Sequence, residues 1–118
     1  MIKMGEEQKF KLYKLTTKDE KILIKAKNRE EAFAKFFKDI LKGKIPLGNI
    51  GQIVTLHDRK DEYPFRTVPA LYLLGVIDRE IATSNVSMVL ECSKIEAEIM
   101  LESCIAEDKW IIKAVESI

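Results

Sequence analysis

Histidine occurs once in the 118 residues, at His57, and cysteine twice, at Cys92 and Cys104. That scarcity excludes the paired Cys and His spacings from which zinc sites are built, and no metal is expected. His57 has Asp58, Asp61 and Glu62 nearby. One imidazole with three carboxylates at no fixed spacing falls far below a metal motif, so a solvated loop is expected there. Glycine is limited to five positions. Gly48-Asn49-Ile50-Gly51 leads into a strand, whereas phosphate-cradling loops run from a strand into a helix N-terminus, so this stretch reads as a turn and no nucleotide cofactor is implied. Long hydrophobic runs are also missing: the longest, Val68 to Ile77, is ten residues and includes Pro69 and Gly75, too short to cross a bilayer. Met1 to Phe10 is too polar for a signal peptide, so a cytoplasmic location and no membrane partner are expected. Glutamine appears only at Gln8 and Gln52 while Lys, Glu and Ile are abundant, a balance that leans toward a thermophile.

What is present is enough to fold. Hydrophobic residues make up 47% and charged residues 33%, which excludes a disordered chain. The length suits one domain, or two very small units sharing a core. The net charge of +1 hides an asymmetry. Residues 1–69 hold 16 Lys/Arg against 10 Asp/Glu, and residues 70–118 hold 4 against 9. Such a split fits an anionic partner for the first half, or two halves that attract each other.

Lys9 to Leu15 and Lys21 to Lys27 read as two strands around the polar turn Thr16–Glu20. The second strand alternates, with Ile22, Ile24 and Ala26 on one face and Lys21, Leu23, Lys25 and Lys27 on the other. In the first, Phe10 and Leu12 are expected inward, leaving Lys9, Lys11 and Tyr13 outward. A helix follows over Asn28–Gly43: Asn28 is an N-cap, Glu31 stands three residues later, and Phe33, Phe36, Phe37, Ile40 and Leu41 recur at helical spacing before Gly43. Gln52 to Leu56 reads as a third strand and Asp58 to Pro64 as a charged loop. Beyond it, a helix is expected over Pro69–Ile81, a break or a cap at Ala82–Asn85, a short helix over Val86–Cys92, a second opened by the capping box Ser93-Lys94-Ile95-Glu96, and a closing strand at Trp110–Val115. The expected fold is α+β: a β-hairpin, helix and third strand (β-β-α-β) over residues 9–57, then a mainly helical unit over residues 65–118, both in one structure.

The stretch from Val86 to Val115, VSMVLECSKIEAEIMLESCIAEDKWIIKAV, resembles the helix-turn-helix core of winged-helix domains. Leu90 matches the apolar residue that closes the second helix, Ser93 the residue that opens the recognition helix, and Ala97 and Leu101 its small and apolar positions. Trp110-Ile111 resembles the start of the wing, and the helix at Pro69–Ile81 would stand first. The resemblance implies a winged-helix-like trihelical unit over about residues 69–116. It departs from the family in charge: Glu96, Glu98, Glu102, Glu107 and Asp108 face Lys94 and Lys109 alone, and so acidic a helix is repelled by phosphates.

No catalytic constellation is visible. A Cys-His nucleophile pair would need Cys92 or Cys104 to leave apolar surroundings, where buried free thiols are expected and a disulfide is the alternative. The informative polar feature is the lysine face of the hairpin. Lys9, Lys11, Lys21, Lys25 and Lys27 around Tyr13, extended by Arg59, Lys60 and Arg66, form the candidate nucleic-acid-binding set, the ammonium groups tracking phosphates while the ring stacks a base. The expectation is therefore a small non-catalytic binding protein for DNA or RNA without cofactors. The bland reading is a solvated face whose lysines guard a sheet edge. The alternative function is a protein–protein interaction or homodimerisation module in which Leu71, Leu74, Met88, Met100, Leu101 and Trp110 supply the interface.

Overall fold

Residues 9–118 are described by a computed structural model, and the fold is α+β. Strands β1 (Lys11–Thr16) and β2 (Lys21–Ala26) form the expected antiparallel hairpin, with Leu15 opposite Ile22 and Tyr13 opposite Ile24. Residues facing each other across an antiparallel pair share a face of the sheet. Because odd-numbered residues of β1 pair with even-numbered residues of β2, the inward Ile22, Ile24 and Ala26 draw Leu15 and Tyr13 inward with them. The expected phase of β1 is thus reversed: Tyr13 is buried at 2% exposure and Leu12 lies outside at 67%.

Helix α1 (Arg29–Leu41) forms as expected. The Asn28 side chain accepts from the Glu31 amide at 2.8 Å, and Glu31 in turn accepts from the Lys27 amide at 2.7 Å. Gly43, at φ +79, ends it in the left-handed conformation that glycine adopts without strain. Phe33, Phe36, Phe37 and Ile40 are buried, whereas Leu41 turns out to solvent at the helix end.

Strands β3 (Ile53–Asp58) and β4 (Asp61–Arg66) complete a four-stranded antiparallel sheet in the order β2-β1-β3-β4. The stretch expected as a charged loop is therefore mostly strand. Two features concealed it. The connection is a two-residue turn without glycine, Arg59 itself taking φ +62, and Pro64 stands inside the strand. A proline is tolerated there because β4 is an edge strand.

One face of the sheet is covered. Its core joins Tyr13, Leu15, Ile24, Val54 and Leu56 to the phenylalanines of α1 and to Ile111 and Val115 of α5 (Trp110–Glu116), a helix where a strand was expected. Ile111 and Val115 are four apart, so one helical face reaches this core while Lys113 stays outside. Phe65 of β4 ties the layers together, its ring centroid 5.1 Å from Phe33, 5.7 Å from Phe37 and 5.5 Å from Trp110.

Between β4 and α5 the chain makes α2 (Thr67–Leu73), then α3 (Arg79–Leu90) and α4 (Lys94–Asp108), which pair as a helical hairpin. Asp78 caps α3 by accepting from the Ile81 amide at 2.8 Å, and the helix runs unbroken through Ala82–Asn85 because Ala82 and Thr83 are buried against its neighbours. The capping box at Ser93 is formed in both directions, at 3.0 and 3.1 Å. A second, small core of Val68, Ala82 and Leu101 holds the base of the hairpin.

Candidate interaction surfaces

The second face of the sheet is open along β1 and β2. The registers place Leu12, Lys14, Lys21, Leu23 and Lys25 on it from β1 and β2, and Ile53, Thr55 and His57 from β3. Leu12 stands opposite Lys25 and Lys14 opposite Leu23. Both leucines are in water, at 67% and 65% exposure. Lys14, Lys21 and Lys25 are exposed and form no ion pair among the described residues. Lys14, absent from the candidate set, belongs on this face for the same parity reason that removes Tyr13.

The nine residues expected to bind nucleic acid are not gathered on one surface. Lys21 and Lys25 lie on the open face. Lys27 sits near its margin with Phe10, its ammonium 5.8 Å from that ring centroid, and Lys9 is exposed just before β1. Lys11 shares the inward phase of β1 and leans from the sheet rim over the buried Tyr13 ring, 3.5 Å from Asp58. Arg59 and Lys60 form the β3–β4 turn, next to Asp58, Asp61 and Glu62. Arg66 shares the second face by register, opposite Ile53, but is held at its β4 edge: its guanidinium donates to Glu107 at 2.8 Å and to Asp108 at 3.2 Å. The open face therefore carries its lysines without Tyr13, the ring expected to stack a base; His57 and, at the margin, Phe10 are the rings left there.

The α3–α4 hairpin presents the other exposed surface. Its base is packed, but toward the tip only Ala97 is buried. Ile81, Met88, Val89, Leu90, Ile95, Ile99 and Met100 are all exposed, Ile95 at 76%. Val86, Val89, Leu90, Met100 and Cys104 also line an open groove of about 280 Å³ against Ile53, Val68 and Pro69. Of the six residues expected to form an apolar interface, only Met88 and Met100 are exposed. Leu71 and Leu101 are buried, and Leu74 and Trp110 pack on the main core. Isoleucines 95 and 99, four apart and out of phase with the buried Ala97 and Leu101, were the signal available in the sequence.

Nucleophile and metal chemistry finds little here. The two nitrogens of His57 lie 3.0 Å from the Thr16 hydroxyl and 3.6 Å from Glu62. Cys92 and Cys104 are free thiols, half-buried, and desolvation pushes the Cys104 thiol above its ordinary value despite nearby Arg66, which disfavours the nucleophilic thiolate. Among the described residues no three His, Cys, Asp or Glu side chains converge to hold a metal, and no helix is long and apolar enough to cross a membrane. Comparison with protein-family models, with curated proteins and with solved structures finds no match to this chain.

Proposed function

We propose that the protein is a non-catalytic self-association module whose contact surface is the α3–α4 hairpin. The observation that carries this reading is the cluster of seven exposed large apolar side chains on one hairpin. Scattered exposed leucines are ordinary on soluble proteins, but a concentration of this size marks a surface built to be covered. Sedimentation velocity across a wide concentration range tests it. The expected result is a species of twice the chain mass, reduced to one chain by Met88→Asp with Ile99→Asp. Both sites face solvent, so these changes leave the fold's stability nearly untouched. A wild-type protein that stays a single chain at the highest concentration overturns the reading.

A second reading keeps nucleic acid as the partner, and the specific observation in its favour is the open face with Lys14, Lys21 and Lys25. With Tyr13 buried, the contact rests on the lysines and the phosphate backbone. Three phosphate contacts to a single strand give affinity that falls with salt with a logarithmic slope of about −2. Fluorescence anisotropy of a labelled single-stranded oligonucleotide measures that slope, and Lys14→Glu with Lys25→Glu is expected to abolish most of it. No binding at low salt removes this reading.

A further inference from the structure

The geometry points to a reciprocal dimer in which α4 of each copy lies on the open sheet face of the other. This rests on the self-association reading and names the surface that the hairpin meets. Ile95, Glu98, Ile99 and Glu102 stand at positions i, i+3, i+4 and i+7, so they form a single stripe along α4. All four are exposed, and Glu102 is also held by Arg79. Between residues 79 and 108 the chain has seven acids and two bases, so this arm is strongly acidic.

The sheet face is its complement in charge and in apolar character. Leu12 and Leu23 stand in water there beside Lys14 and Lys25, with Lys21 on the same face. An acidic helix with two exposed isoleucines therefore meets opposite charge and an apolar patch together. One copy does not satisfy itself this way. Its hairpin leaves the sheet through α2 after the edge strand β4, and β1 and β2 lie across the order β2-β1-β3-β4 with Leu12 and Leu23 in water. A two-fold axis solves both problems, since each copy then gives one arm and receives one, and the assembly closes as a dimer.

Charge reversal tests the arrangement on the full chain. One variant carries Lys14→Glu and Lys25→Glu, and a second carries Glu98→Lys and Glu102→Lys. Each alone is expected to weaken the dimer at least tenfold in sedimentation equilibrium, because arm and sheet then repel. Mixed in equal amounts they are expected to recover a dimer, since the acidic arm of the first meets the native sheet of the second and the basic arm of the second meets the acidic sheet of the first. Glu98→Lys alone disturbs no ion pair of the hairpin, so its weakening of the dimer, with an unchanged circular dichroism spectrum, separates lost docking from lost folding. If both variants dimerise as tightly as the wild type, the hairpin packs on another surface: this arrangement falls while self-association stands. If the wild type is a single chain, both fall.

Discussion

Arg66→Ala is expected to destabilise the protein by about 3 kcal/mol at neutral pH, the low end of the cost of removing one partner from a buried ion pair. The low end applies because the two partners differ in exposure. The Asp108 side chain is 5% exposed and that of Arg66 43%. Removing the arginine strands a buried carboxylate, whereas Asp108→Ala leaves a guanidinium that still has water and Glu107. The aspartate change is therefore expected to cost clearly less, about 1 kcal/mol. A pH series sharpens the test. Burial pushes Asp108 above its ordinary 3.8, with Arg66 pulling it back. An acid whose folded value is raised holds its proton more tightly when folded, so its charged form costs stability at neutral pH and the cost is relieved as pH falls through that raised value. Without Arg66 the folded value rises further. The gap between Arg66→Ala and wild type, measured by urea denaturation, is thus expected to be widest near neutrality and to close toward pH 4. A gap that does not change with pH would show that the loss comes from packing along the arginine stem, not from the stranded charge.

The same pair fixes the direction of the acidic arm. Arg66 is the last residue of β4 and Asp108 the last of α4, so their contact fastens the base of the hairpin to the edge of the sheet. A residue expected to meet phosphate instead holds the element that carries the apolar surface.

What the sequence disclosed about this fold was mostly local. The Asn28 cap, the three- and four-residue spacing of Phe33, Phe36, Phe37 and Ile40, and the Ser93–Glu96 box each involve residues within one or two turns, and all three form. What it concealed depended on partners distant in the chain. KFKLYKL is apolar in both phases, and only pairing with β2 and β3 decides that Tyr13 and Leu15 go in. DEYPFR looks like a loop until Ile53–Asp58 offers it an edge. WIIKAV has the composition of a strand, yet it docks as a helix beside α1. The candidate site suffered most, because membership of a face changes with a one-residue shift of phase. Tyr13 left the basic face and Lys14 joined it for that single reason.

Phe37→Ala is expected to carry the largest penalty of any single change considered, about 3–5 kcal/mol, the range for deleting a buried phenylalanine ring. Domains of this kind have about 5–15 kcal/mol in total, so the variant is expected to sit near the limit of folding. The upper part of the range follows from the packing of α1 against both the sheet and α5. Phe37 is fully buried, with its ring edge-on to Phe36 at 5.1 Å and to Phe65 at 5.7 Å. A cavity there opens within the aromatic cluster of Phe36 and Phe65, which cannot collapse into it without losing its own ring contacts. Leu41→Ala, four residues on but turned toward solvent, is expected to cost under about 1 kcal/mol. Guanidinium denaturation of the two variants side by side measures the contrast. Similar losses for both would mean that α1 does not separate a buried face from a wet one. Phe37 also lies away from the exposed hairpin apolar residues and from Lys14 and Lys25. Where Phe37→Ala remains folded, it is therefore expected to dimerise as the wild type does, whereas Glu98→Lys keeps its stability and loses its partner.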